Sequence, residues 1–409
     1  MTISSITPKF IDNLPRPTKQ AAKFFRHNEQ AAGLSTSRFI QDFSVCLIPK
    51  ITFARSVADL AENTFLDGSE EVLMYVVPAV LGQKIARPFF SKTLSEDLKK
   101  EVSKTGAELI EAAKKNSAIK ASNTKVIPIK AAIALTAMAI PLTEFCLNYF
   151  KNLLTLKVFK TGDFKNIASL ENNQEDKAQQ EKVKKSAIKH IKLAGGIYAG
   201  CLGLAGLLAT RGKNSKLLQN LSEFIVAPGC KLFKNSPKLK NYFNKYHCMD
   251  FNSQDGKLVM SKGQLTTCVL IGGCGYFGAS ADRGKENFKE TATRFPLVGA
   301  YVITGSEFVE KGFKKLLHKF GKCKDILDKN LKVPSFDELE EVAKKLASKN
   351  KTNAQEEYKK LAKQKIMISG VPFIFSIGVM GFFVSGLTTY FTRKRFQNAQ
   401  KSQEKRVNA

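Results

Sequence analysis

Gly273, Gly275 and Gly278, in the stretch VLIGGCGYFGAS from Val269 to Ser280, match the spacing G-x-G-x-x-G. In a dinucleotide-binding fold that spacing permits a tight turn and lets the backbone approach a pyrophosphate at a helix N-terminus. The surroundings do not supply the rest of that machinery. The helix that should follow is interrupted by Gly284. No acid closes a second strand at the expected distance of about 20 residues, and Glu307 comes too late. Two near-matches to a phosphate loop, Gly206 to Lys213 and Gly278 to Lys285, carry one residue too many before G-K and no Ser or Thr after it. A dinucleotide-binding enzyme therefore ranks third among the readings of this chain.

Other chemistry is equally thin. His27, His190, His247 and His318 are scattered among charges, and no Ser/His/Asp or Cys/His set assembles from spacing. The eight cysteines, at 46, 146, 201, 230, 248, 268, 274 and 323, form no C-x-x-C and have no clustered histidine partners. That spacing argues against a zinc site and a disulfide framework, and thiols in apolar runs behave as small hydrophobes. The sequence assigns no catalytic residue, cofactor or metal, so the expectation is a protein that is not an enzyme. One polar residue stands out. Glu144 follows Pro141 in AIPLTEF, inside an apolar run. An ionisable group in such a setting is a candidate for an ion or proton path.

The elements that position these residues are long apolar runs. The uncharged stretch from Ile366 to Thr392 exceeds the ~20 residues that cross a hydrocarbon core, and it closes with Arg393, Lys394 and Arg395. A basic triplet after such a run marks the cytoplasmic side and fixes topology. Runs at 193–210 and 263–281 are uncharged, and 131–150 holds only Glu144. Each is long enough to span with nothing to spare. Shorter apolar pieces, within 72–90 and at 295–306, suit buried, interfacial or re-entrant segments.

LAGGIYAGCLGLAGLLATRGK from Leu193 aligns without a gap on LTTCVLIGGCGYFGASADRGK from Leu265. Gly200, Gly203 and Gly206 fall on Gly272, Gly275 and Gly278. Glycines three apart share a helix face and let two backbones approach closely, so the sequence predicts that these two faces pack together. The match also hints at an internal repeat of the kind found in transporters.

The chain carries 65 Lys+Arg against 36 Asp+Glu, a net charge of +29 that suits an anionic partner. Beside apolar spans, lipid headgroups fit that requirement better than nucleic acid, even where SPKLKNYFNKYHCMDF interleaves lysine with aromatics. The N-terminus has no apolar core of a cleavable signal peptide. VPSFDELEEVAKKLASKNK opens with a capping box, Ser335 with Glu338, and reads as an extramembrane helix.

The expected fold is all-α: a multi-pass helical membrane protein with about four transmembrane helices and extramembrane helical segments. Its regions are a basic N-terminal part, 1–125, a membrane region, 126–392, and a basic tail, 393–409. Connecting segments 211–262 and the tail are expected on the cytoplasmic side, with 151–192 and 282–365 opposite. Mean hydropathy of −0.18 leaves most of the chain away from lipid. The leading functional expectation is a non-enzymatic protein of membrane organisation or of a membrane complex, with a membrane-protein partner or a second copy. In a bacterium it would lie in the cytoplasmic membrane. A transporter or channel is second.

Overall fold

The computed structural model describes residues 9–30, 43–80, 104–171, 177–250, 252–254, 257–259 and 261–407. The apolar piece within 72–90 therefore lies partly outside the described residues. In chain order the helices are α1 (Lys9–Asp12), α2 (Arg16–Gln30), α3 (Leu47–Thr52), α4 (Val57–Val80), α5 (Gly106–Ala113), α6 (Ser117–Thr136), α7 (Ala139–Phe159), α8 (Phe164–Ile167) and α9 (Lys177–Arg211). They continue with α10 (Lys216–Val226), α11 (Pro228–Leu232), α12 (Pro237–Tyr246), α13 (Lys262–Asp282), α14 (Lys285–Ala300), α15 (Ser306–Lys319), α16 (Leu339–Asn350), α17 (Ala354–Phe375) and α18 (Val384–Val407). A two-stranded antiparallel hairpin, β1 (Asn252–Gln254) and β2 (Lys257–Val259), precedes α13. Helix dominates the rest.

Contacts divide the chain into two bodies, Met1–Cys46 with Ala300–Val384, and Leu47–Gly299 with Ser385–Ala409. The predicted divisions at 125 and 392 differ from these, because each body joins segments far apart in sequence. In the first body Ile11, Leu14, Phe25, Phe336, Leu339, Tyr358 and Leu361 form the core. Its helix α16 is entered through reciprocal bonds between Ser335 and Glu338, with Ser335 N–H to Oε2 at 2.7 Å and Glu338 N–H to Oγ at 3.3 Å. Two π-helical stretches, Tyr301–Gly305 and Ser376–Phe383, interrupt the regular helices around them. The Tyr301 and Ser376 hydroxyls bond across them, and Ser376 also donates to the carbonyl of Pro372 at 2.9 Å.

In the second body α7 packs against α4, α9 and α13, while α6 packs against α5, α9 and α10. The predicted span at 131–150 is not one straight helix. A turn at Ala137 and Met138 separates α6 from α7. Pro141 sits in the first turn of α7, where its missing N–H is no loss. Helix α9 runs antiparallel to this pair: Tyr149 stacks on His190 at 4.6 Å, and Tyr198 donates to the carbonyl of Thr136 at 3.2 Å. At 35 residues α9 is roughly 50 Å long, from a rise of 1.5 Å per residue.

Three helical stretches are long and apolar enough to cross a membrane: Ser117–Phe159, Lys177–Asn214 and Ala354–Ser402. They contain three of the four predicted runs. The fourth, 263–281, forms α13 but is not among them, since Gln264, Thr266, Thr267 and Ser280 dilute its apolar character. The three also differ in cover. The most apolar window of the first is 61% buried within the protein, whereas those of the other two are 17% buried. Leu193, Ile197, Leu202, Ile374, Phe383 and Phe391 are among the large apolar side chains left exposed on them.

Candidate functional site

The polar residues of α4 and α7 fall on the buried sides of these helices. On α7, Asn148, Lys151, Asn152 and Thr155 recur every three or four residues, so they share one face, and all four are buried. Asp59, Glu62 and Asp67 on α4 are buried as well. Together with α13 and α14 they build a cluster of charges inside an otherwise apolar bundle.

At its centre is Arg283, just past the end of α13 and 1% exposed. Its guanidinium grips the Glu62 carboxylate with both arms, Nη1 to Oε2 at 2.8 Å and Nη2 to Oε1 at 2.5 Å. The Thr155 hydroxyl donates to the same carboxylate. Burial alone would raise the Glu62 carboxyl, but Arg283, with Lys151 and Thr155, outweighs it and holds Glu62 below the usual carboxylate range. Arg55 makes a second node, donating to Asp59 at 2.9 Å and to Glu290 at 2.8 Å while lying 4.9 Å over the Phe164 ring. Lys50 pairs with Asp67. Burial and the Asp67 charge push Glu70 up to about 7. A polar cleft opens among these groups, lined also by Lys151, Tyr276, Arg294 and Ser385. A separate buried pair, Lys130 with Asp250 at 3.0 Å, ties α6 to the segment after α12, and Asp250 also accepts the Gly106 N–H at 2.7 Å.

Glu144 lies on α7 with its carboxyl against the bare backbone of Gly272, where any Cβ would overlap it. Its Oε2 is buried and has no hydrogen-bond partner among the described residues. The other predicted glycines divide into two groups. A Cβ at Gly275 would stand 2.7 Å from the backbone oxygen of Phe145, and one at Gly278 would meet the Tyr149 hydroxyl. A Cβ at Gly200, Gly203 or Gly206 on α9 would meet nothing within 4 Å among the described residues. The two glycine faces therefore do not meet each other. Glu144, Phe145 and Tyr149 meet Gly272, Gly275 and Gly278 in the same order, so α13 lies parallel on α7, and that contact takes up its glycine face. The aligned R-G-K endings also do different work: Arg211 is exposed and Arg283 is the buried clamp. Gly273 to Gly278 lie inside one helix, without the strand and turn that a dinucleotide requires.

The basic triplet does not end its helix, because α18 continues to Val407. Arg393 and Lys394 are exposed, and Arg395 donates to the Thr392 hydroxyl at 3.2 Å. Just beyond, the Lys165 ammonium lies 5.4 Å from the Phe396 ring, so segment 151–192 and the tail share one end of this body. The eight cysteines are free, and Cys274 alone is exposed. Burial and the nearby Asp250 push the Cys248 thiol up to about 12. On α12 no residue is buried, and Tyr242 lies against Phe243, Tyr246 and His247.

Sequence reasoning missed the clamp and the cleft. Their signal was the polar spacing on 148–155 and the acids repeated through 59–71. What these observations define is a helical protein with three helices able to cross a membrane and a buried charge cluster beside one of them. No protein-family model, curated protein or solved structure matches the chain.

Proposed function

We propose that this is a multi-pass integral membrane protein that acts without catalysis, as a component of a membrane complex or an organiser of the bilayer. The observation that carries the reading is the bare apolar surface of the second and third stretches, whose windows are 17% buried. Apolar area on that scale needs lipid or another protein against it. The open glycine face of α9 suits close approach by a helix from a partner or a second copy. Three spans accommodate the contact of Lys165 with Phe396, since 151–192 and the tail then emerge together; four alternating spans set them apart. The protein should remain in the pellet after alkaline carbonate extraction and require detergent for release. Release by carbonate alone overturns the reading.

The second reading is a transporter, favoured by the Glu144 oxygen left without a donor among the described residues, on a helix that also carries Asn148 and Lys151. In reconstituted vesicles it requires a measurable cation or proton flux that Glu144→Gln abolishes. A parent protein that moves no ion across a broad panel rejects it.

A further inference from the structure

The charges around the cleft are not all paired. Asp59 and Glu290 are engaged by Arg55, Glu62 is held by Arg283, and Lys50 is paired with Asp67. Arg55 alone serves two carboxylates, so the excess is one positive charge before Glu70 is counted, but two cations, Lys151 and Arg294, have no ion-pair partner among the described residues. Lys151 is 9% exposed and makes no hydrogen bond or ion pair among the described residues; its ammonium lies 5.2 Å from the Tyr276 ring. Glu62 and Glu70 act on it only at longer range. Arg294 spends one Nη2–H on Ser385 Oγ at 3.0 Å and has no carboxylate within ion-pair distance among the described residues. A buried ammonium without an ion-pair partner is costly, and a guanidinium lining the same cleft offers the fork that suits an oxyanion.

We infer that the cleft is a binding site for a single phosphate group, held by Lys151 and Arg294 with the Ser385 hydroxyl as a further donor. Its position favours this chemistry. Lys151 directly follows the apolar run 131–150, Arg283 follows 263–281, and Arg294 directly precedes 295–306. In the membrane reading Lys151, at the border of a run in one of the three stretches able to cross a membrane, stands near headgroup depth, where basic pockets between helices take lipid phosphates. Free inorganic phosphate presents the same oxygens. Only the lipid source rests on the membrane reading above.

The test uses the full-length protein in a neutral detergent. Inorganic phosphate and, separately, phosphatidylglycerol are titrated in, with binding read by calorimetry and by the shift in melting temperature. Saturable binding of either should weaken at least tenfold in Lys151→Met and in Arg294→Gln, and should be unchanged in Lys216→Met, which removes an exposed lysine elsewhere. Binding of both identifies a general phosphate site, and binding of the lipid alone identifies a headgroup site. Arg294 contributes no ion pair to the fold, so Arg294→Gln keeps the test decisive should Lys151→Met fail to fold. Binding of neither probe, or binding that survives both substitutions, overturns the inference.

Discussion

At the scale of single residues, the Arg283–Glu62 clamp dominates. Removing one partner of a buried pair leaves an uncompensated charge, so Arg283→Ala should cost about 3–5 kcal/mol, read as a lower melting temperature in detergent. Replacing both with Met should cost much less than the two single changes added together. The clamp also sets a pH dependence. Glu62 has a folded pKa below its unfolded value, so its stabilisation is complete above the unfolded pKa of about 4.3 and is lost as pH falls through the folded value. Melting temperature should therefore fall steeply below about pH 4, and Arg283→Met should remove this component. A wild-type profile that stays flat to pH 3 contradicts the assignment. None of this was legible in the sequence. Glu62 and Arg283 lie 221 positions apart, and acids on a mixed-polarity helix look the same whether they face water or a buried guanidinium.

Among the elements, the glycine helices show how far local pattern reaches. That Gly272, Gly275 and Gly278 lie on one helix face follows from their spacing. Which helix meets that face depends on packing elsewhere, and here α7 occupies it with Glu144, Phe145 and Tyr149. Leu at Gly275 must displace the α7 backbone, so it should cost roughly 1–3 kcal/mol of stability in detergent. Leu at Gly203, which has open space, should leave the melting temperature near that of the parent. Equal effects at the two positions refute this division of labour. The apolar runs were legible as helices, and so was the Ser335–Glu338 cap, because both depend on neighbours in sequence. The turn at Ala137–Met138 was not, since no glycine marks it.

For the whole molecule, the testable statement is sidedness. Lys182, Lys401 and Lys216 are exposed, and the first two lie in the segments joined by the Lys165–Phe396 contact. With Cys274 removed, cysteines introduced at 182 and 401 should share the same response to an impermeant reagent, and one introduced at 216 should give the opposite response. Opposite labelling at 182 and 401 restores the four-span alternation. Cys230, Cys248 and Cys323 cannot report on this, because all three are buried regardless of side. The composition announced a basic protein of low mean hydropathy. It could not announce that the two bodies interleave along the chain, because their boundaries rest on contacts between distant segments.

The cover given to α7 has a consequence for biogenesis. A ribosome delivers α7 long before α13, and until then its buried face, with Glu144 and Lys151, has neither the glycine helix nor Arg283 beside it. An ionisable residue such as Glu144 within the apolar part of a lone inserting helix adds a cost on the order of a few kcal/mol. Helix α9, uncharged from Leu193 to Thr210, carries no such charge across its apolar stretch. On the membrane reading proposed above, order of synthesis and order of settling would be uncoupled: α9 could enter the bilayer as it emerges, while the earlier α7 would need α13, still to be translated, to cover its polar face.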